Sequence, residues 1–245
     1  SPIEFEAPRS EVRGRWDGSR LEQVIINLLS NALRYGAGKS VWVTVIEVRP
    51  GWATLLVRDQ GVGIAPEHQR LVFQRFERLT QSRNRGGFGL GLWIVRQIVD
   101  AHNGTIKLFS RPGVGSTFGV DLPTGVEPAR PLRDDIVLFI NVDPVGRKGF
   151  RDAALAVGCR GLTAGGIADA VALVHFGVHP RLVICDEDLA TEARLQELRA
   201  DRHLAGVPII THPARALSPE DLRARIAAHC PGILEGQAVP DPATV

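Results

Sequence analysis

The sequence predicts an α/β protein made of two domains. Two observations carry this prediction: a break rich in proline and charge at residues 123–135, and a change in the order of elements across it. Before the break, apolar periodicity predicts a helix, two strands, a short helix, a second helix and two more strands. After it, short apolar strands alternate with helices, which favours a parallel sheet with helices on both faces.

The break also sets the predicted domain boundaries. We expect a first domain at residues 1–124, a linker at 125–134, a smaller second domain at 135–235 and a flexible tail at 236–245. The linker region contains Pro123, Pro128 and Pro131, and the tail is again interrupted by proline and glycine.

Composition excludes several classes of function. The 245 residues are 44% hydrophobic and 23% charged, with a net charge of +2 at pH 7, too balanced for nucleic acid or an anionic membrane to be the main partner. The three cysteines, Cys159, Cys185 and Cys230, lack metal-ligand spacing and favour reduced thiols in the cytoplasm. No apolar run reaches the length of a membrane span, so any membrane anchor would lie elsewhere in a longer parent protein.

The first predicted helix has two distinct faces. Ser19 and Glu22 have the spacing of a capping box, with Ser19 as the N-cap. One face is an apolar stripe that would pack on a core, formed by Leu21, Val24, Ile25, Leu28, Leu29, Ala32 and Leu33. The other face carries Gln23, Asn27, Asn31 and Arg34. Amide oxygens suit Mg²⁺ and arginine suits phosphate, although a solvated polar face is the plainer interpretation.

The following strand ends at a carboxylate and two glycines. Asp59, Gly61 and Gly63 could hold the amino group of a ligand at the strand end, or form an ordinary surface turn. Pro66 then opens a predicted short helix through EHQRLVFQRF. The polar and basic residues 77–87 after it predict a mobile lid over phosphates, with a disordered loop as the alternative.

The glycine-rich turn GGFGLGL at 86–92 is not a dinucleotide or P-loop cradle. Leu92 stands where the third glycine of the dinucleotide fingerprint belongs. The nearby GAGKS at 36–40 has Leu33 in place of the first P-loop glycine, and a strand pattern follows it instead of a helix.

Taken in order, NLLSNALRYG, DQGVGI, FQRF and GGFGLGL resemble the N, G1, F and G2 boxes of the ATP-binding catalytic domain of sensor histidine kinases. Residues 100–123 resemble the end of that domain, so the resemblance runs from about 13 to 123. It implies a two-layer α/β sandwich of the Bergerat type that binds ATP with Mg²⁺.

The resemblance also implies roles for individual residues. Asn31 would coordinate Mg²⁺ with support from Asn27, while Arg34 and Tyr35 would contact the phosphates and the nucleoside. Asp59 would accept the adenine amino group, and Phe73 and Phe76 would anchor the lid. The rest of the expected nucleotide site is Gly61, Gly63, Ile64, Arg78, Gly87, Gly89, Leu90, Gly91 and Leu92.

Asn27 also bears on the reaction. ATPases that resemble gyrase, MutL and Hsp90 place a glutamate at this position to activate water, and an amide cannot take that proton. We therefore expect transfer of the γ-phosphoryl to a histidine on a helical dimerisation domain outside this chain. That domain would also mediate homodimerisation. The alternatives are an ATP-sensing interaction module and a Hsp90- or MutL-like ATPase.

The second half resembles a response-regulator receiver with a flavodoxin-like sheet. Asp186 occupies the phosphoacceptor position, but Asn141 and Val142 replace the acidic pair that binds Mg²⁺, and Asp143 comes one residue late. Thr211 lies near the hydroxyl position, which falls on Pro213. We therefore expect a truncated, inactive receiver that regulates a hybrid histidine kinase, whose phosphoryl group passes to a response regulator or phosphotransfer protein.

Overall fold

The computed structural model of the protein describes residues 1–6, 12–76, 90–125, 135–213 and 217–235. The chain divides into two compact units, Ser1–Leu132 and Arg133–Val245. The predicted tail, and the predicted linker apart from Gly125, lie outside the described residues. None of the helices in the described ranges has both the length and the apolarity that a membrane span needs.

The first unit contains a five-stranded sheet and two helices. Its strands are β1 (Ile3–Glu6), β2 (Val41–Ile46), β3 (Trp52–Asp59), β4 (Thr105–Arg111) and β5 (Gly115–Pro123), and its helices are α1 (Gly18–Tyr35) and α2 (Gly91–Ala101). The sheet order is β1-β2-β3-β5-β4, with β1 parallel to β2 and the other pairs antiparallel. The edge strand β1 was not predicted.

Both helices of the first unit pack on one face of this sheet. Their apolar residues form one core with the strands, which comprises Val24, Leu28 and Ala32 of α1, Val95, Ile98 and Val99 of α2, and Val41, Val57, Phe118, Val120 and Leu122 of the sheet. In the β3–β5 register Val57 lies opposite Phe118, so both side chains point to the helices. The two-layer α/β sandwich is therefore confirmed.

Two local predictions in this unit were wrong. The N-cap of α1 is Asp17 rather than Ser19: the Asp17 carboxylate accepts from Arg20 N at 3.1 Å and from Ser19 Oγ at 2.7 Å. A carboxylate two residues earlier competes successfully for the free N–H groups of the first turn. The predicted short helix after Pro66 is two separate 3-10 turns, Pro66–His68 and Leu71–Phe73.

The second unit is a parallel sheet between helices. Its strands are β6 (Ile136–Ile140), β7 (Arg160–Ala164), β8 (Pro180–Asp186) and β9 (Ile209–His212), in the order β7-β6-β8-β9 and parallel throughout. Its helices are α3 (Pro144–Val157), α4 (Ile167–His175), α5 (Glu192–Ala200), α6 (Pro219–His229) and the short α7 (Gly232–Glu235).

Both faces of the sheet in this unit are buried, so successive side chains of β6 pack against different helices. Val137 and Phe139 of β6 pack with α3 and α6, and Phe139 stacks on Phe150 with ring centroids 4.9 Å apart. The intervening Leu138 is fully buried on the opposite face, where α4 contacts β6 and β7. The predicted parallel sheet is present, while its assignment to the receiver family remains a prediction.

Candidate functional site

The polar row of α1, formed by Gln23, Asn27, Asn31 and Arg34, lies beside the start of α2. Asn27 is half-buried, and its Nδ2 donates to the Gln23 carbonyl at 2.9 Å, which leaves Oδ1 directed away from its own helix. A Cβ added at Gly91, the first residue of α2, would lie 3.0 Å from that oxygen. The two helices therefore meet at an amide and a glycine.

No side chain of the described residues caps the N-terminus of α2. Leu90 occupies the N-cap position and offers no hydrogen bond to the first turn, whereas its backbone carbonyl accepts from Ile94 N at 2.9 Å. Leu92 is half-buried against the core of the first unit. The first N–H groups of an α-helix have no intrahelical partners and carry the positive end of the helix dipole, so this end of α2 suits an anion.

Asp59 lies at the opposite end of the polar row. It ends β3, is only 4% exposed, and accepts a hydrogen bond from Gly61 N at 2.8 Å. Burial raises the pKa of its carboxyl above the ordinary value, although the N–H groups of Gly61 and Ser116 and the charge of Arg58 oppose that shift. A buried carboxylate with capacity for further hydrogen bonds suits a ligand amino group.

The two glycines after Asp59 are required by close packing. A Cβ at Gly61 would overlap the Tyr35 carbonyl at the end of α1. Gly63 has a φ of +69°, and a Cβ there would overlap the Arg111 carbonyl, so both its conformation and its surroundings exclude larger residues. The loop that follows Asp59 is thus held between the end of α1 and the β4–β5 turn.

A hydrogen-bond network that the sequence did not predict holds the same loop. The buried Ser110 Oγ accepts from Ile64 N at 2.8 Å and donates to the Gly115 carbonyl at 2.9 Å. Gln69 Nε2 donates to the carbonyls of Ile64 and Ser110 at 3.0 and 2.9 Å. A serine in an alternating strand and a glutamine in a loop carry no distinguishing sequence signal, so only the tertiary contacts identify them.

The described site residues of α1 therefore form one continuous stretch of that helix, with Gly91 near one end and Asp59 near the other. Asn27 touches the start of α2, Asn31 lies one turn further on, and Tyr35 touches the loop after Asp59. A Cβ at Gly36 would lie 3.6 Å from Asp59 Cβ, which places the last turn of α1 beside that carboxylate. Arg34, in the same turn, is exposed. Asn27 and Tyr35 are separated by about 12 Å along the helix axis.

Comparison with known proteins assigns this unit. Residues 16–126 match the model of the family described as histidine kinase-, DNA gyrase B-, and HSP90-like ATPase. Residues 16–126 belong to this ATPase family. Among curated proteins that are similar to this chain, the sensor-like histidine kinase SenX3 of Mycobacterium tuberculosis is 42% identical over 128 residues. The sensor protein SrrB of Staphylococcus aureus is 41% identical over 111 residues.

These relatives are longer than the matched region. The SenX3 alignment covers 51% of this chain and 31% of SenX3, and the SrrB alignment covers 44% and 19%. The chain thus spans less than a third of the length of these curated relatives. Among solved structures, the mycobacterial sensor histidine kinase MprB is 34% identical, with 53% of this chain and 84% of that chain covered at a TM-score of 0.41.

The predicted lid, residues 77–87, lies outside the described residues, as does Gly89, so Arg78, Gly87 and Gly89 stay predictions. Phe73 is half-buried and packs edge-on against Phe118 of β5, with centroids 6.2 Å apart, at the margin of the core. Phe76 is 61% exposed at a φ of +65°, with Arg75 4.8 Å from its ring centroid. Of these two phenylalanines, Phe73 therefore shows the packing expected of an anchor.

The carboxylate predicted as a phosphoacceptor lies in the second unit. Asp186 ends β8 and is only 3% exposed. Its Oδ2 accepts from Asn141 Nδ2 at 2.6 Å, and its Oδ1 accepts from Asp188 N at 3.0 Å. Both carboxylate oxygens are thus engaged by the protein itself.

The neighbouring acidic residue does not reinforce Asp186. Asp143 is the N-cap of α3, where its two oxygens accept from Val145 N and Gly146 N at 3.1 and 2.8 Å. Val142 is 59% exposed. The buried Arg147 donates to the carbonyls of Asn141 and Val142 at 2.9 and 2.8 Å, which holds this strand end in place.

Proposed function

We propose that residues 16–126 bind ATP with Mg²⁺ and donate the γ-phosphoryl group to a histidine on a helical dimerisation domain outside this chain. The observation that carries the proposal is the polar row of α1. At Asn27 the row lies beside the start of α2, and at its other end it lies beside the buried carboxylate of Asp59. The two ends match the two chemically different ends of a nucleoside triphosphate. The family match over this region supports the same assignment.

The base would occupy the Asp59 end of the site. The Asp59 carboxylate accepts the adenine amino group, and Gly61 and Gly63 bring backbone close to the ring. The partly buried Ile64 side chain would contribute an apolar wall. Its backbone N–H is not offered to the base, because it donates to Ser110 Oγ. Tyr35 and Arg34, in the last turn of α1, contact the nucleoside and the phosphates.

The phosphates would occupy the opposite end. Leu90, Gly91 and Leu92 present backbone N–H groups at the start of α2, where the helix dipole favours anions. A glycine at position 91 leaves the Asn27 amide uncovered. Arg78, Gly87 and Gly89, which the resemblance also assigns to the nucleotide site, lie outside the described residues.

Two side-chain amides of the polar row, those of Asn27 and Asn31, fit a magnesium ion. Asn31 is half-buried, and its side chain makes no hydrogen bond to another described residue, so its amide oxygen is available. Asn27 Oδ1 is directed outward because Nδ2 is held by the Gln23 carbonyl. Mg²⁺ characteristically takes one or two protein oxygens together with substrate phosphates and water. Bound there, it would neutralise the charge of the triphosphate.

The reaction that fits Asn27 is transfer to a protein nucleophile. A neutral imidazole nitrogen attacks the γ-phosphorus, the bond to the β–γ bridging oxygen breaks, and ADP leaves with that electron pair. Water would need a base for the same attack, and an asparagine amide cannot accept its proton. Transfer to histidine is therefore favoured over hydrolysis.

For the second unit we propose a regulatory role as an inactive receiver of a hybrid kinase. Asp186 is buried and hydrogen-bonded to Asn141, whereas a phosphoacceptor needs an accessible carboxylate beside a bound metal. The phosphoryl group would then pass from the dimerisation domain to a separate response regulator or phosphotransfer protein.

Two experiments test these proposals. Titration with a non-hydrolysable ATP analogue and Mg²⁺ should show binding by the wild type and at least tenfold weaker binding by Asn31→Ala; failure of the wild type to bind removes the kinase proposal. With labelled ATP and a histidine-containing dimerisation domain supplied separately, an acid-labile phosphohistidine should form. Binding without any transfer would instead support an ATP-sensing module, and fast turnover by the chain alone an ATPase.

A further inference from the structure

A cluster of two histidines and an aspartate lies in the second unit, away from Asp186 in sequence and outside the proposed reaction. His175 is the last residue of α4, and Asp201 and His203 flank Arg202 in the connection between α5 and β9. His175 Nε2 lies 3.0 Å from Asp201 Oδ2, and the two imidazole centroids are 4.8 Å apart. One potential ligand atom from each of the three residues lies within 4.8 Å of the other two.

The fold holds these side chains together through local hydrogen bonds and packing. Residues Arg202–Leu204 form a 3-10 turn that contacts α4, and Leu204 is 2% exposed, which fixes the turn against the unit. Asp201 Oδ1 accepts from His203 N at 2.9 Å, so Oδ2 is left to face His175. The carboxylate is thereby positioned between the two rings.

The surroundings of the carboxylate suit a cation, because one Asp201 oxygen accepts from His203 N and the other faces the His175 ring. The guanidinium of the exposed Arg202 contacts the cluster, where its Nε donates to His203 Nε2 at 3.3 Å. That side chain can turn into solvent without disturbing buried structure.

We propose that His175, Asp201 and His203 form a binding site for a divalent transition metal of the zinc class. Two imidazole nitrogens and one carboxylate oxygen are ligands that zinc takes in three-residue sites that leave a fourth position open. Metal–ligand bonds of about 2.0–2.2 Å bring tetrahedral ligand atoms to about 3.3 Å from one another. His175 is exposed and His203 half-exposed, so small rotations of the rings achieve this contraction.

The bound ion would join two segments that are distant in sequence. It would link the C-terminus of α4 to the turn that leads into β9, through three side chains of the second unit. A ligand that binds only the folded state raises the free energy of unfolding by mass action. Metal binding should therefore stabilise the second unit, whether or not the first unit binds ATP.

The test is titration of the full 245-residue chain with Zn²⁺ by calorimetry, together with thermal unfolding with and without the metal. We expect one site, a rise in unfolding temperature with metal, and a loss in affinity of about tenfold or more in each of His175→Asn and His203→Asn. His179→Asn, which replaces an exposed histidine outside the cluster, should bind Zn²⁺ like the wild type.

Two results would overturn the proposal. One is a wild type that shows no saturable binding; the other is unchanged affinity in the double variant His175→Asn/His203→Asn, which would place the metal on other groups such as the thiols. Circular dichroism and unfolding of the metal-free variants confirm that they are folded. If either variant unfolds, Asp201→Asn provides the same test, because it retains the hydrogen bond to His203 N while removing the charge.

Discussion

Asn27 of α1 faces Gly91 of α2 so closely that a methyl group at Gly91 would lie 3.0 Å from Asn27 Oδ1. This close approach limits the size of the residue that fits at position 91. A larger residue at position 91 must displace the amide, which is itself held by the bond from Nδ2 to the Gln23 carbonyl. The relationship between these two residues thus couples helix packing to the proposed phosphate site.

Gly91→Ala should reveal this coupling. Alanine alone favours a helix by about 0.8–1.0 kcal/mol over glycine, but its Cβ crowds the Asn27 amide. In a double-mutant cycle with Asn27→Ala, measured by urea unfolding, we expect an interaction free energy of at least about 0.5 kcal/mol, because the crowding disappears when Asn27 is truncated. If the two substitutions change the free energy of unfolding additively, the approach of Asn27 to position 91 contributes nothing to stability.

Asp59→Asn should separate binding from stability. The amide can still accept from Gly61 N but presents no charge to the adenine amino group, so nucleotide affinity should fall by about 1.5–3 kcal/mol, roughly ten- to hundredfold. The exposed Asp100→Asn on α2 should change neither affinity nor stability and serves as the control.

The pH dependence of the same variant follows from the raised pKa of Asp59. The folded state then binds the proton more tightly than the unfolded state, so this carboxyl favours folding in acid. That contribution is lost as pH rises from the ordinary range of an aspartate through the raised folded pKa. Relative to the wild type, Asp59→Asn should therefore gain stability as pH rises through that window, measured by denaturant unfolding at several pH values. A parallel pH profile for both proteins would contradict the prediction.

Ser110→Ala should destabilise the first unit. The change removes the acceptor for Ile64 N and the donor to the Gly115 carbonyl in a buried setting, at a cost of about 1–3 kcal/mol in the free energy of unfolding. Ser30→Ala is the matched control, since Ser30 is exposed on α1 and its Oγ donates to the Ile26 carbonyl of its own helix. Equal effects of the two serine substitutions would rule out a special role for the Ser110 network.

Gly61→Ala tests the close approach of the Asp59 loop to α1. The new Cβ overlaps the backbone carbonyl of Tyr35, which cannot move without shifting the helix end, so we expect a loss of at least about 2 kcal/mol in stability. Gly18→Ala, at the first residue of α1 with no atom within 4 Å of the new Cβ, should be neutral or stabilising. Thermal unfolding of both variants checks this prediction, and equal unfolding temperatures for the two would contradict it.

Asn141→Asp should partly rebuild an acidic pair in the second unit. It places a second carboxylate where the amide now donates to Asp186 at 2.6 Å, so the two charges repel and the unfolding temperature should fall in the absence of metal. Added Mg²⁺ should recover part of that loss. Asn103→Asp, at an exposed position of the first unit, should show neither effect. An Asn141→Asp protein that is as stable as the wild type without metal would contradict the repulsion.

The candidate site could be proposed from the sequence because its residues are local in the chain. Asn27, Asn31 and Arg34 are spaced on one helix, and Asp59, Gly61 and Gly63 follow one strand, so periodicity and turn chemistry group them. Their assignment to a nucleotide site rests on the resemblance to histidine kinases and stays a prediction. The N-cap of α1 was missed because Asp17 and Ser19 are both good caps, and the geometry of the preceding backbone selects between them. The edge strand β1 was missed because four residues carry too little pattern.

The sequence by itself determined an α/β chain of two units and most of its strand–helix order, and it contains the residue types on which the proposed nucleotide site depends. Only the tertiary structure decided which of these residues meet: Asn27 with Gly91, Tyr35 with Gly61, Ser110 with Ile64, and Asn141 with Asp186. The physical reason is that periodicity reports which face of an element is buried, whereas a contact between elements depends on how side chains of distant segments fill shared space. The cluster of His175, Asp201 and His203 illustrates the difference, since no spacing in the sequence indicated that these three residues would converge.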